Sequence, residues 1–311
     1  MEKKFSRYAW SVLGFNLLVI SWGALVRASK SGDGCGEHWP LCNGTVLPHA
    51  AQIATLIEFT HRVSTGIALV SVIAMAIWAF RAYPPGAVRK AAVASVILIF
   101  TEALLGAGLV LLGYVGANAS LGRAVYLSAH LINTLLMLAA MALAAWWGAG
   151  HAPVQIAGHR AAARRIGIAL AAALAIAITG SITALSDTLY PSTSLRAGWA
   201  LDFSAAAPLW IRLRIFHPLI AVLACAYIVV AVLSMRTAAS AARPWGMAVV
   251  LLAAAELVAG MVNLDLLAPI WMQLTHLLIA DLLWIALVVF AAAALQPKAV
   301  PAMQRFQKPA A

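Results

Sequence analysis

The sequence predicts an all-α integral membrane protein, with eight transmembrane helices arranged as two pseudo-symmetric four-helix bundles side by side. Three observations carry that reading. Of the 311 residues, 64% are hydrophobic and only 10% charged, where a soluble domain is nearer half and a quarter. Apolar runs of about 20 residues, the length that crosses a bilayer, recur along the chain. The chain also divides into two halves of four runs that repeat each other weakly.

The first run, about Tyr8–Val26, follows Lys3, Lys4 and Arg7. It is too long for a signal-peptide core and reads as an uncleaved helix. The second, about Ala54–Phe80, opens on IEFTHRV, and the third, about Ala87–Gly113, holds TEALLGAG. The fourth, about Gly122–Trp147, opens near LSAHL and ends before the polar, basic stretch GHAPVQIAGHRAAARR. That stretch separates a first bundle, 1–155, from a second, 156–311. The fifth run, about Arg165–Leu185, leads into GSITALSD, where the first leads into GALVRASKSG. The sixth, about Leu209–Met235, opens on LRIFHP, and the seventh, about Trp245–Leu264, holds AAELVAGM. The eighth, about Ala268–Leu295, opens near QLTHL. Glu102 thus matches Glu256, His61 matches His217, and His130 matches His276. Each half has an even number of spans, so the repeat is parallel, with its pseudo-axis along the membrane normal.

A net charge of +11 raises the question of nucleic acid. The distribution answers it. Lys3, Lys4 and Arg7, then Arg81, Arg89 and Lys90, then Arg160, Arg164 and Arg165, then Arg236 and Arg243, and finally Lys298, Arg305 and Lys308 all fall on one side of an eight-span chain. This is the positive-inside bias, so both termini are expected in the cytoplasm and no nucleic-acid partner is implied. The start leaves no room for a mitochondrial transit peptide, which favours a bacterial inner membrane. The longer loops, about Arg27–Ile53 and Ser186–Pro208, are expected outside.

Four histidines are the most informative residues. His61, His130, His217 and His276 each lie roughly seven to eight residues past the start of a run, about 10–12 Å deep at 1.5 Å per residue. All four runs travel from outside to inside, so all four rings belong to the outer leaflet. A titratable ring at that depth is costly without a partner. Unrelated buried histidines are the bland explanation; one shared depth and an internal repeat argue against it. Two pairs of ligands, with haem iron as the guest, fit better. The second and fourth spans then hold one haem, and the sixth and eighth the other. Zinc or copper would recruit nearby cysteine or carboxylate. Gly66, Gly106, Gly108 and Gly260 would admit either a flat macrocycle or close helix packing.

Glu58 shares a helix face with His61, one turn nearer the surface. It is either an acid/base group beside the first haem or a partner of Arg62. The second half has Arg214 in that place, so only one site carries the carboxylate. Arg27, Arg62, Arg123, Arg212 and Arg214 lie near the outer surface, as partners for haem propionates or as snorkelling interfacial residues. Glu102 and Glu256 sit mid-span, in a structural role or on a proton route. Cys35 and Cys42 lie in the first outer loop, where disulfides are permitted; the pair is a structural staple or a redox-active group. Cys225 reads as a packing residue, and Asp281 has no evident role.

The stretch GALVRASKSGDGCGEHWPLCNG followed by EFTHR, with the later LSAHL, IFHP and QLTHL contexts, resembles the haem A synthase family over nearly the whole chain. The resemblance implies oxidation of a ring methyl of haem O to a formyl group by successive hydroxylation, giving haem A for terminal oxidases. It implies His61 and His130 as ligands of the substrate haem O, His217 and His276 as ligands of a permanent haem b, and Glu58 as the catalytic carboxylate. Haem O synthase, cytochrome oxidase assembly proteins and an unidentified electron acceptor are the implied partners. The loop SDTLYPSTSLRAGWALDF departs from relatives that carry a second cysteine pair there.

An iron held by two histidines has no site for oxygen. Either a histidine leaves, or electrons are drawn from the ring and water attacks the methyl. A dihaem electron-transfer cytochrome is the alternative function, but one that conducts across a membrane would set its haems at two depths. A cytochrome c assembly protein would show a tryptophan-rich outer segment, and a transporter would leave the clustered histidines unexplained.

Overall fold

The structure is a computed structural model that describes residues 2–48, 52–235 and 240–297. Arg236, Lys298, Arg305 and Lys308 of the charge pattern lie outside the described residues. The chain is nearly all helical. Among the described residues, extended pairing is limited to one bridge between Cys42 and Thr45. Eight helical segments are long and apolar enough to cross a membrane.

Four helices form the first half: α1 (Glu2–Ala28), α2 (Ile53–Ala82), α3 (Ala87–Leu111) and α4 (Leu121–Gly148). The second half has α5 (Arg160–Leu189), a short α6 (Leu195–Asp202), α7 (Leu209–Arg214), α8 (Phe216–Leu233), α9 (Arg243–Asp265) and α10 (Ile270–Ala294). In the first half α1 packs on α2, α2 on α3, α3 on α4 and α4 back on α1. In the second, α5 packs on α8, α8 on α9, α9 on α10 and α10 back on α5. The two cycles have the same order, which is compatible with an internal repeat. They meet where α4 touches α5 and α10, and where α1 touches α10.

That junction is the most buried part of the molecule. Ala140, Ala142, Ala144 and Ala145 of α4 and Ala291, Ala292 and Ala293 of α10 are all buried. Small side chains let helix backbones approach closely where lipid supplies no hydrophobic drive. A polar contact fixes the register across the junction: the indole N–H of Trp284 donates to the Leu135 carbonyl at 2.6 Å. Within the first half, the Ser6 hydroxyl of α1 donates to the Ala145 carbonyl of α4 at 2.9 Å.

Two features add to the sequence expectation. The sixth span crosses as one segment, Leu209–Leu233, with its helical hydrogen bonding interrupted at Ile215, between α7 and α8, where the backbone stays right-handed helical. Pro218 has no N–H to return to the Arg214 carbonyl, and its ring crowds that turn. The loop before it also contains α6, whose start is capped by Ser194, with its hydroxyl accepting the Ala197 N–H at 3.2 Å.

Candidate functional site

One cavity of about 1600 Å³ runs between the two halves and is lined by all four histidines. It exceeds the roughly 300–1,000 Å³ of a single small-molecule site. His61 comes from α2, His130 from α4, His217 from α8 and His276 from α10. The rings of His217 and His276 stand 6.5 Å apart between centroids, with their planes at 76°. A metal bound to two imidazoles needs about 2 Å to each nitrogen, so one ion fits between these rings. His61 and His130 line the same cavity. Among the described residues, no three His, Cys, Asp or Glu side chains gather as a bare metal site. A facing pair suits an iron whose remaining ligands come from a macrocycle; the residues fit haem.

Each ring packs against a glycine of the preceding span. A Cβ at Gly23 would lie 2.9 Å from Cε1 of His61, and one at Gly106 would lie 3.8 Å from that of His130. At Gly180 the distance to His217 is 3.1 Å, and at Gly260 to His276 it is 3.2 Å. Gly106 and Gly260, expected to admit a macrocycle or close packing, therefore admit the ligand rings. Gly108 faces Tyr126, and Gly66 faces open space. Gly23 and Gly180 were legible, since they open the two repeated stretches, but pattern alone gave them no role.

The outer ring nitrogens have different neighbours. Nδ1 of His217 lies 3.0 Å from the Thr179 hydroxyl. Nδ1 of His130 is 3.4 Å from Oε1 of Glu102, and Nδ1 of His276 is 3.2 Å from Oε1 of Glu256. These two are carboxylate contacts rather than aligned hydrogen bonds. Glu102 is held in turn by Asn133 Nδ2 at 2.6 Å and by the Thr134 hydroxyl. The mid-span glutamates thus stand behind the histidines. Nδ1 of His61 is buried with no hydrogen-bond partner among the described residues.

Glu58 lines the cavity and is itself buried. Its Oε2 accepts the Cys35 N–H at 2.8 Å, and its Oε1 accepts from Nε of Arg62 at 3.1 Å. Arg62 Nη1 also donates to the carbonyls of His38 at 2.6 Å and Leu41 at 2.7 Å. Cys35 and Cys42 are bonded to each other. The disulfide loop, Arg62 and Glu58 therefore form one unit over His61. Gly34 permits it: a Cβ there would lie 2.5 Å from the Ala54 backbone.

The arginines divide. Arg27, Arg62, Arg123 and Arg214 line the cavity, whereas Arg212 is exposed and does not. Arg123 Nη1 donates to the Gly116 and Asn118 carbonyls at 2.7 and 2.8 Å, and its Nε is unpartnered among the described residues. Arg214 pairs with Asp202 at 2.6 Å and Asp187 at 3.2 Å. Arg27 reaches from α1 into the other half, donating to the Ala184 carbonyl at 2.8 Å, the Thr188 hydroxyl at 2.7 Å and Gln273 Oε1 at 3.0 Å. Cys225 is free and buried. Asp281 is fully buried and lines the cavity, with both oxygens unpartnered among the described residues.

The model of a family described as "Cytochrome oxidase assembly protein" (COX15-CtaA) matches residues 6–288. A Thermus thermophilus protein named protoheme IX farnesyltransferase is 42% identical over 296 residues, 94% of this chain and 49% of that protein. A haem A synthase of Alkalihalophilus pseudofirmus is 41% identical over 114 residues, 36% of this chain and 38% of the relative. One of Shouchella clausii is 48% identical over 99 residues, 31% of this chain and 33% of the relative. The chain thus aligns with about half or less of the length of these curated relatives.

Proposed function

The chain belongs to the COX15-CtaA family of cytochrome oxidase assembly proteins, and from that premise we propose that it is a haem A synthase, converting a methyl group of haem O to a formyl group. The observation that carries the reading is one apolar cavity with two histidine pairs: Glu102 and Glu256 stand behind one ring of each pair alike, whereas Glu58, on the helix of His61, has no carboxylate counterpart in the second half, where Arg214 takes its place. The matched haem A synthases support the same reaction. The farnesyltransferase name belongs to a protein of which this chain matches about half.

In this reading residues 1–155 hold the substrate, with His61 and His130 as axial ligands of haem O. Residues 156–311 hold a haem b between His217 and His276. Such a haem b supplies a one-electron acceptor. Glu58 takes protons lost as the methyl is oxidised. Thr179, Glu102 and Glu256 orient their imidazoles, as groups behind a metal-bound histidine do. Arg27, Arg123 and Arg214 are the cavity cations available to propionates, Arg214 only in competition with its two aspartates. Arg212 is left out of this set. Arg62 is committed to Glu58 and the loop. The Cys35–Cys42 disulfide acts as a staple that keeps the loop over the substrate site.

The protein is placed in the bacterial cell membrane, with both termini cytoplasmic and the haem sites toward the outer side. Haem O synthase and cytochrome oxidase assembly proteins are its proposed partners, with an electron acceptor downstream. The test is to express the full chain together with haem O synthase, extract the haems and separate them. Haem A beside haem B is expected. Haem B alone, with haem O left unchanged in the membrane, would overturn the synthase in favour of a dihaem electron carrier.

A further inference from the structure

We propose that His61 is the exchangeable ligand of the substrate site: its imidazole leaves the iron and returns, while His130 keeps hold of the haem. The inference rests on the reading that His61 and His130 share one iron. It settles which of two ligands yields when a coordination position must open. The iron–nitrogen bond breaks with its electron pair remaining on the ring, so no oxidant or reductant is needed.

The four rings are not equally held. The outer nitrogens of His130, His217 and His276 each lie 3.0–3.4 Å from a glutamate or threonine oxygen. Those of His130 and His276 make carboxylate contacts without an aligned hydrogen bond, whereas that of His61 is buried with neither a hydrogen bond nor a carboxylate contact among the described residues. The nearby Ser64 and Thr65 hydroxyls donate to the His61 backbone carbonyl, at 2.8 Å each, and make no hydrogen bond to its ring. The cause is one position in the repeat. Thr179 directly precedes Gly180, the glycine under His217, and its hydroxyl reaches the ring. Trp22 directly precedes Gly23, the glycine under His61. Its indole N–H goes to the Ile57 carbonyl at 3.0 Å, and an indole offers no acceptor to an imidazole N–H.

A group behind a ligating imidazole fixes its orientation and raises its basicity; removing one typically costs 10–100-fold in affinity or activity. His61 therefore binds iron more weakly than its three counterparts. It is also the ligand that shares helix α2 with Glu58, so its departure opens the haem face on the carboxylate's side.

Carbon monoxide tests this, because it binds reduced haem only where a ligand yields. The full-length protein, loaded with haem in both sites, is reduced and titrated by absorption spectroscopy. One haem per chain is expected to bind carbon monoxide. Trp22→Thr gives His61 the partner that His217 has, and is expected to weaken that binding about 10–100-fold. Thr179→Val, at the other site, is expected to make the second haem reactive. Binding to neither haem, equal binding to both, or an affinity unmoved by Trp22→Thr overturns the inference. Histidine variants separate the two levels. His61→Ala is expected to retain the substrate-site haem in a five-coordinate spectrum, and His130→Ala to lose it. If haem content and spectrum survive both replacements, the reading of the site itself falls. If one haem responds but His61→Ala is the variant that loses it, the site stands and only the exchange at His61 falls.

Discussion

The backbone N–H of Cys35 donates to Oε2 of Glu58 at 2.8 Å. This one bond ties the cysteine loop to the helix that carries His61. Arg62 strengthens the tie, because it donates to Glu58 and to two carbonyls of the loop. Glu58 is at once the anchor of the loop and a cavity-lining carboxylate on the helix of His61, so its structural and chemical roles must be tested separately.

Glu58→Gln separates them. The glutamine oxygen can still accept the Cys35 N–H, so the loop is expected to stay in place and both haems to remain bound. Conversion of haem O is expected to fall about 10²–10⁴-fold, the usual share of a positioned acid/base group. Time-resolved haem extraction measures it. Normal conversion with both haems bound would remove Glu58 from the chemistry.

Replacing Cys35 and Cys42 by serine opens a loop closed across seven residues. Chain-entropy arguments put that loss at about 2–3 kcal/mol. A lower melting temperature and slower conversion are expected, with the haem between His217 and His276 spectroscopically unchanged. An unchanged melting temperature would mean that Arg62 and the Glu58 bond hold the loop unaided.

Gly23→Ala and Gly180→Ala put a methyl group 2.9 and 3.1 Å from a histidine ring. Overpacking of this kind typically costs 1–3 kcal/mol, and here it falls on ring placement. Each variant is expected to lose haem from its own site. Gly167→Ala, with nothing within 4 Å of the added carbon, is the control. Equal haem loading in all three would show that the glycines do not set the ligands.

Arg27→Ala removes three hydrogen bonds that cross from the first half to the second. Bonds to charged groups contribute about 1.5–3 kcal/mol each, so the drop in stability is expected to exceed that of the exposed Lys3→Ala severalfold. Thermal melting followed by haem absorbance measures it. Equal melting of the two variants would mean that the buried α4 and α10 surfaces alone hold the halves together.

Much of this was legible in the chain itself. Hydropathy set the eight spans, because a bilayer accepts only long apolar helices whose backbone bonds close internally. The repeat set the equivalence of His61 with His217 and of His130 with His276, and its interruption at Glu58 marked one pair as different. Pro218 in IFHP was visible too, although its effect on the sixth span was not drawn from it.

The tertiary structure alone decided what stands behind each ring. Glu102 and His130 lie on different helices, as do Thr179 and His217, and their contacts depend on how α3 meets α4 and α5 meets α8. Helix periodicity says which residues share a face but not which neighbour that face meets. The same holds for Arg27, whose partners are more than 150 residues away in sequence, and for Arg212, which sits among the other arginines in sequence yet outside the cavity. The sequence by itself determined that four histidines would lie in apolar spans, His61 related to His217 and His130 to His276 by the repeat. Only the packing decided that three would be held from behind and one left free, because that difference lies in the contacts between helices.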